Sequence, residues 1–207
     1  MQQSEITVEV LCDKDTLFAL LEGKGFKYTS RLLINDYYYT HLPLKGGQVD
    51  FRELITNSFL VRQLSCIDFK NKNKSITTTS LVYKKKEFDV YQKVIAEHKI
   101  TCDVPTAAEA NEIFLQSGLN NWSTKTITGY EFKRANKKQT ILVQDVEGLG
   151  LFLEVEQFEY QTGKSDEVLD DLVDFLNELE IPTGTNYHES IVYRLYLNRK
   201  KAVKVNS

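Results

Sequence analysis

The chain has 207 residues, 42% of them hydrophobic and 27% charged, with only 3 Pro, which excludes disordered and low-complexity classes and is enough for one large domain or two small ones. A chain of this length buries about 70% of its unfolded surface on folding, so its core needs no disulfide. Lys plus Arg number 26 against 29 Asp plus Glu, a formal net charge of −3. No bulk positive field therefore attracts nucleic acid or an anionic membrane, and any anion site must be local.

In chain order, alternation of apolar and polar residues at period 2 predicts strands over 5–12, 32–40, 59–68, 75–84, 92–102, 124–134, 139–145 and 151–160. Polar connections such as Asn71-Lys72-Asn73-Lys74 and Ala135-Asn136-Lys137-Lys138 read as hairpins, which makes the sheet antiparallel. Three helices are predicted: one after Asp13 that stops at Gly23 or Gly25, one opened by the capping box Thr106 to Glu109 and closed at Gly118, and one from Ser165 to Leu179. The stretch 41–57, with Pro43, Gly46 and Gly47, reads as a loop, and 190–198 as a short helix or tail. The chain reads as a single domain over 1–207 with two similar halves, about 5–90 and 91–198.

Cys12, Cys66 and Cys102 form no C-x-x-C pair, and no signal peptide or apolar run of about 18 residues is present. A soluble protein of a reducing cytoplasm is expected. His41, His98 and His188 lack ligand spacing, and His98 shares parity with an apolar strand face, where it is expected to pack. The glycines at 23, 25, 46 and 47 lack the context of a phosphate-cradling loop.

Alternation also divides the charged residues from the apolar ones. In 5–12, Ile6, Val8 and Val10 share one face, with Glu5, Thr7 and Glu9 on the other. In 92–102, Val94, Ala96, Ile100 and Cys102 oppose Lys93, Glu97 and Lys99; in 151–160, Leu151, Leu153 and Val155 oppose Phe152, Glu154, Glu156 and Phe158. Such faces are either solvated, as in a sheet covered on one side, or line the interior of a closed sheet whose apolar exterior is covered by helices. In the second case Arg62, Lys84, Lys93, Lys99, Lys125 and Lys133 gather beside Glu5, Glu9, Asp145, Glu154 and Glu156. Basic groups hold a polyanion through charge-assisted hydrogen bonds, and carboxylates hold a hard divalent cation that bridges phosphate oxygens. Triphosphate with Mg²⁺ or Mn²⁺ is the guest that balances these charges.

The segment Asp145-Val146-Glu147-Gly148-Leu149-Gly150-Leu151-Phe152-Leu153-Glu154-Val155-Glu156 resembles the late signature of the CYTH family, the class IV adenylyl cyclases and thiamine triphosphatases. Asp36-Tyr37-Tyr38-Tyr39, Arg62, Leu81-Val82-Tyr83-Lys84, Lys125 and Asn186-Tyr187-His188-Glu189 resemble further strands and the C-terminal motif of that family, so the resemblance spans about 5–197. It implies an α+β fold, an eight-stranded antiparallel closed or nearly closed β-barrel with helices on the outside. It also implies a triphosphate, as nucleotide, thiamine ester or inorganic chain, held by Arg62, Lys84, Lys93, Lys99, Lys125 and Lys133. Glu9, Arg62 and Lys84 are the implied catalytic residues, and Glu5, Asp145, Glu154 and Glu156 the implied ligands of Mg²⁺ or Mn²⁺. The implied chemistry is hydrolysis of the triphosphate or cyclisation of ATP to cyclic AMP.

One motif departs from the family pattern. Glu-x-Glu-x-Lys is expected on the first strand, but Glu5-Ile6-Thr7-Val8-Glu9-Val10-Leu11 contains no lysine in any register. That departure favours, as the alternative, a relative that binds a polyphosphate or nucleotide without turning it over. A lipocalin-like barrel or plain interaction module is the rival from another class, and an apolar interior would distinguish it. A homodimer is the default expectation for assembly.

Overall fold

The computed structural model describes residues 3–44, 49–69, 74–88, 94–135, 139–158, 165–187 and 190–205. Its elements are β1 (Gln3–Glu9), α1 (Lys14–Gly23), β2 (Lys27–Thr40), α2 (Phe51–Thr56), β3 (Asn57–Asp68), β4 (Lys74–Phe88) and β5 (Val94–Asp103), followed by α3 (Ala107–Gln116), β6 (Asn120–Lys133), β7 (Gln139–Val146), β8 (Gly150–Phe158), α4 (Ser165–Glu178) and α5 (Ile191–Val205).

Local chemistry explains where the helices begin. The Asp13 carboxylate accepts from the Thr16 amide at 2.9 Å, and Thr106 Oγ1 accepts from the Glu109 amide at 3.2 Å while donating to the Glu109 carboxylate at 2.8 Å. Each cap satisfies a donor that the first helical turn leaves unpaired, a contribution of about 1 kcal/mol. α2 lies in the stretch read as a loop. It spans six residues, too short for helical periodicity to show, and its cap is Asp50, which accepts from the Arg52 amide.

The strands form one eight-stranded sheet in the order β1-β8-β7-β6-β2-β3-β4-β5. The β1–β8, β7–β8, β6–β7 and β4–β5 ladders are antiparallel. Hydrogen bonds do not join the two ends of this order among the described residues. The outer edge of β1 is instead occupied near its end by the chain at 182–187. Tyr187 O accepts from the Thr7 amide at 3.2 Å, the Gly184 amide donates to Glu9 O at 2.9 Å, and the Leu11 amide donates to Pro182 O at 2.8 Å. An edge that would otherwise offer a template for another strand is thereby paired.

Two compact units are present, each assembled from separate stretches of chain. The first comprises 1–32, 66–75 and 127–191; the second comprises 33–65, 76–126 and 192–207. In the first, Ile6 and Val8 of β1, Ile141 and Val143 of β7, and Leu153 and Val155 of β8 pack against Leu17 and Leu21 of α1 and Leu172 and Leu176 of α4. The β1 and β8 residues here are the apolar faces that the alternation predicts for those strands. Removing a fully buried leucine from such a core costs about 2–5 kcal/mol.

In the second unit both faces of the sheet are covered. Tyr39 and Val61 pack against Ala107 and Ala110 of α3, while Tyr38, Leu60, Val82 and Trp122 pack with Leu54 of α2 and Tyr196 of α5. Residues two apart on a strand share a face, so Asp36, Arg62 and Lys84 lie on the side of α2 and α5. The expectation that helices sit only on the face opposite these charges is therefore corrected for α2 and α5.

A second correction concerns β5. His98 is exposed rather than packed, Cys102 is exposed, and Ile100 keeps 66% of its surface. β5 ends the strand order, so its alternation does not report a buried face.

Candidate functional site

The second unit holds a buried charge cluster. Asp36, with no solvent exposure, accepts from Arg62 Nε at 2.7 Å on Oδ1 and from Arg62 Nη2 at 2.8 Å on Oδ2. Lys125 Nζ lies 3.2 Å from Oδ2, and the Tyr38 hydroxyl lies 3.5 Å from the same oxygen. Lys125 is 11% exposed and Arg62 33%. A two-pronged guanidinium contact fixes orientation as well as charge, which a point-charge contact does not.

The energetics of this cluster follow from burial. Burial pushes the Asp36 carboxyl up, but the Arg62 hydrogen bonds and the Lys125 charge outweigh it and hold Asp36 below the usual carboxylate range. Burial likewise pushes Lys125 down, and the oxygens of Tyr38 and Asp36 outweigh it, leaving the ammonium above its ordinary value. The Tyr38 phenol is raised, chiefly by burial. All three charged groups are thus ionised at neutral pH. Asp36 thus orders two cations, Arg62 and Lys125, close together, the arrangement from which charge-assisted hydrogen bonds can hold an anion.

Trp122 and Lys125 stand three positions apart in β6, yet Trp122 packs with Tyr38 and Lys125 reaches Asp36, both on the same face of β2. Strict alternation is broken between them, so period-2 reasoning alone does not place Lys125. Lys84 follows Val82 on its face of β4 and stands directly opposite Lys99 of β5. Lys99 is exposed. Lys93 lies outside the described residues.

In the first unit the register gathers acids and their partners. Glu5, Thr7 and Glu9 of β1 stand opposite Glu156, Glu154 and Phe152 of β8. Glu154 Oε2 accepts from Gln144 Nε2 at 2.7 Å and from Thr7 Oγ1 at 3.5 Å. The side chains of Glu5 and Glu156 lie outside the described residues. Glu131 accepts from Thr29 Oγ1 and Ser30 Oγ, each at 2.9 Å, and pairs with Lys133 at 3.0 Å. Burial pushes the Glu131 carboxyl up, but these partners bring it below its ordinary value. Lys133 is therefore placed as a partner of Glu131.

Asp145 is separated from Glu154. It stands opposite Leu151 and Thr128, on the face of Val143 and Leu151, whereas Gln144 and Glu154 share the other face. Among the described residues, no group of three or more His, Cys, Asp or Glu is arranged to hold a metal ion.

Three residues are given no site role by the sequence reading: Asp36, which it quotes only within the Asp-Tyr strand, Glu131 and Gln144. Asp36 had a signal, since a carboxylate among strand tyrosines must be either solvated or paired. Gln144 had only its parity with the polar face.

No family model matches the chain. A Methanocaldococcus jannaschii protein named "Putative adenylate cyclase MJ0240" is 24% identical over 203 residues, covering 95% of this chain and 97% of that protein. The solved structure of the PH1819 protein from Pyrococcus horikoshii OT3 superposes with a TM-score of 0.67 at 20% identity, covering 96% of this chain and 99% of that one. A structure described as a "putative adenylate cyclase" from Vibrio parahaemolyticus superposes with a TM-score of 0.62 at 12% identity, covering 95% and 97%. Over nearly its whole length the chain is thus similar to a protein named as an adenylate cyclase, and it shares the fold of these solved structures. At these identities the solved structures establish the fold alone. β1 carries Thr7 and Glu9 on the face of Glu154 and no lysine.

Proposed function

We propose that this protein binds a nucleoside triphosphate and acts on it as an adenylate cyclase-like enzyme. The observation that carries the reading is the pair of cations that Asp36 orients, Arg62 and the buried Lys125, in a chain whose net charge is negative. The relatives named adenylate cyclase support the nucleotide as ligand. In this reading Arg62, Lys84 and Lys125 hold phosphate oxygens.

The chemistry needs charge at fixed positions more than it needs a protein nucleophile. In cyclisation the ribose 3′-hydroxyl oxygen bonds to the α-phosphorus, the bond to the bridging oxygen breaks, and pyrophosphate leaves with that electron pair. In hydrolysis water bonds instead to the terminal phosphorus, the bond to its bridging oxygen breaks, and the diphosphate leaves with that electron pair as orthophosphate forms. Fixed cations stabilise the charge that accumulates on the leaving phosphates in both cases. Glu154 is an oxygen ligand suited to Mg²⁺ or Mn²⁺, and the register sets Glu5 opposite Glu156, one pair of like-charged positions that a cation would offset. A divalent cation bound there would neutralise phosphate charge. Glu9 is the remaining candidate for a direct role, as proton acceptor from the attacking hydroxyl.

The lysine missing from β1 favours a second reading, in which the ligand is held without being turned over. Incubation with ATP, thiamine triphosphate and tripolyphosphate, each with Mg²⁺ or Mn²⁺, separates the two. Cyclic AMP or phosphate that disappears in Arg62→Ala and Glu154→Gln supports the enzyme. Stabilisation by ATP against heat without product, lost in Lys125→Ala, supports the binder. Neither product nor stabilisation would overturn both.

A further inference from the structure

A cavity of about 610 Å³ in the first unit takes no part in the chemistry above. Its volume falls within the range of small-molecule sites, roughly 300–1,000 Å³. Tyr28 and Phe69 supply its rings, 4.9 Å apart and edge to face, and Phe69 is 43% exposed. Tyr28 is backed in turn by Phe132, stacked at 5.5 Å, so its ring is held rather than free to turn.

Among the described residues, the charged ones lining the cavity are basic: Lys27, Lys133 and Arg134. Lys133 is partly neutralised by Glu131. Arg134 is fixed in place, for its guanidinium lies 4.9 Å from the Phe26 ring centre and its Nη1 donates to Lys24 O at 3.3 Å. Its buried Nε makes no hydrogen bond among the described residues. Gly25 opens the floor; its φ of +82° is a conformation that suits glycine, and it lies beside the Arg134 side chain.

We infer that this cavity binds a planar aromatic ring bearing an anionic group, of the nucleoside monophosphate class. The rings offer a stacking surface that is already ordered, and the cations on the rim offer the counter-charge. Stacking and charge then act on two ends of one ligand. A cation cluster without rings would prefer phosphate alone, and rings without cations would prefer the uncharged nucleoside.

The test is calorimetric titration of the full chain with AMP, adenosine and inorganic phosphate. AMP is expected to bind more tightly than either fragment, with affinity reduced about tenfold in Phe69→Ala and reduced also in Lys27→Glu, while Arg62→Ala binds it like the parent. Circular dichroism confirms that each variant is folded. Absence of AMP binding at millimolar concentration would overturn the proposal. So would phosphate binding as tightly as AMP, or AMP binding that is lost in Arg62→Ala and kept in Phe69→Ala, because the nucleotide would then belong to the Asp36 cluster.

Discussion

Asp36 sits between Arg62 and Lys125, and replacing it by Asn removes its charge while keeping its shape. The buried Lys125 and the half-buried Arg62 would then both lose this counter-charge. Asp36→Asn is expected to lower stability by about 3–5 kcal/mol, measured by urea denaturation at pH 7. Because the folded-state value of Asp36 is depressed, the stability it contributes is fully present above its ordinary value near 4 and is lost as the pH falls through the depressed one. The parent should therefore lose stability below about pH 4, with a shallower acid limb in Asp36→Asn. Thiol chemistry gives an independent check on burial at this scale. Burial raises both Cys12 and Cys66, whereas Cys102 is exposed, so Cys102 should react first with a thiol reagent at neutral pH.

At this same scale the sequence discloses the cations and hides their organiser. Arg62, Lys84 and Lys125 are visible as polar interruptions of apolar strands. That Asp36 binds two of them depends on which strands become neighbours, and β2 and β6 are far apart in sequence. Asp145 shows the opposite failure. It belongs to a recognisable motif, but one step of register sets it on the face of Val143 instead of that of Glu154.

Among the elements, helix starts were legible because capping is local. Asp13 and Thr106 announce α1 and α3 within four residues. Thr106→Ala is expected to cost about 1 kcal/mol in urea denaturation, from loss of the Glu109 amide bond. α2 was not legible, since six residues cannot display a helical period and the prolines and glycines upstream suggest a loop. The pairing of 182–187 along β1 was equally hidden, for it depends on a ladder more than 170 residues apart in sequence. Gly184 tests it with two substitutions. A Cβ there would lie 3.7 Å from Glu9 Cβ, an ordinary contact, so Gly184→Ala should be tolerated. Gly184→Pro removes the N–H that donates to Glu9 O and should cost about 1 kcal/mol, read as a shift of the denaturation midpoint.

For the whole molecule, the near-balance of 26 basic and 29 acidic residues conceals how unevenly they are placed. A buried cation pair around one acid occupies the second unit, and the Glu154 and Glu131 groups occupy the first. β2, β3 and β6 each contribute residues to both units, so neither unit is a stretch that could be excised from the chain. The sequence halves at 5–90 and 91–198 do not anticipate this division, because it follows spatial contact.

The chain's single tryptophan adds an optical consequence. Trp122 is 2% exposed, its ring centre lies 5.5 Å from that of Tyr38, and the Tyr38 hydroxyl points to the carboxylate that holds Arg62 and Lys125. Indole fluorescence therefore comes from one place, one tyrosine ring away from the charge cluster. Its emission should be that of an apolar surrounding and should move to the red on unfolding. A change of intensity on titrating tripolyphosphate, absent in Lys125→Ala, would make the protein its own label-free indicator of what occupies that cluster.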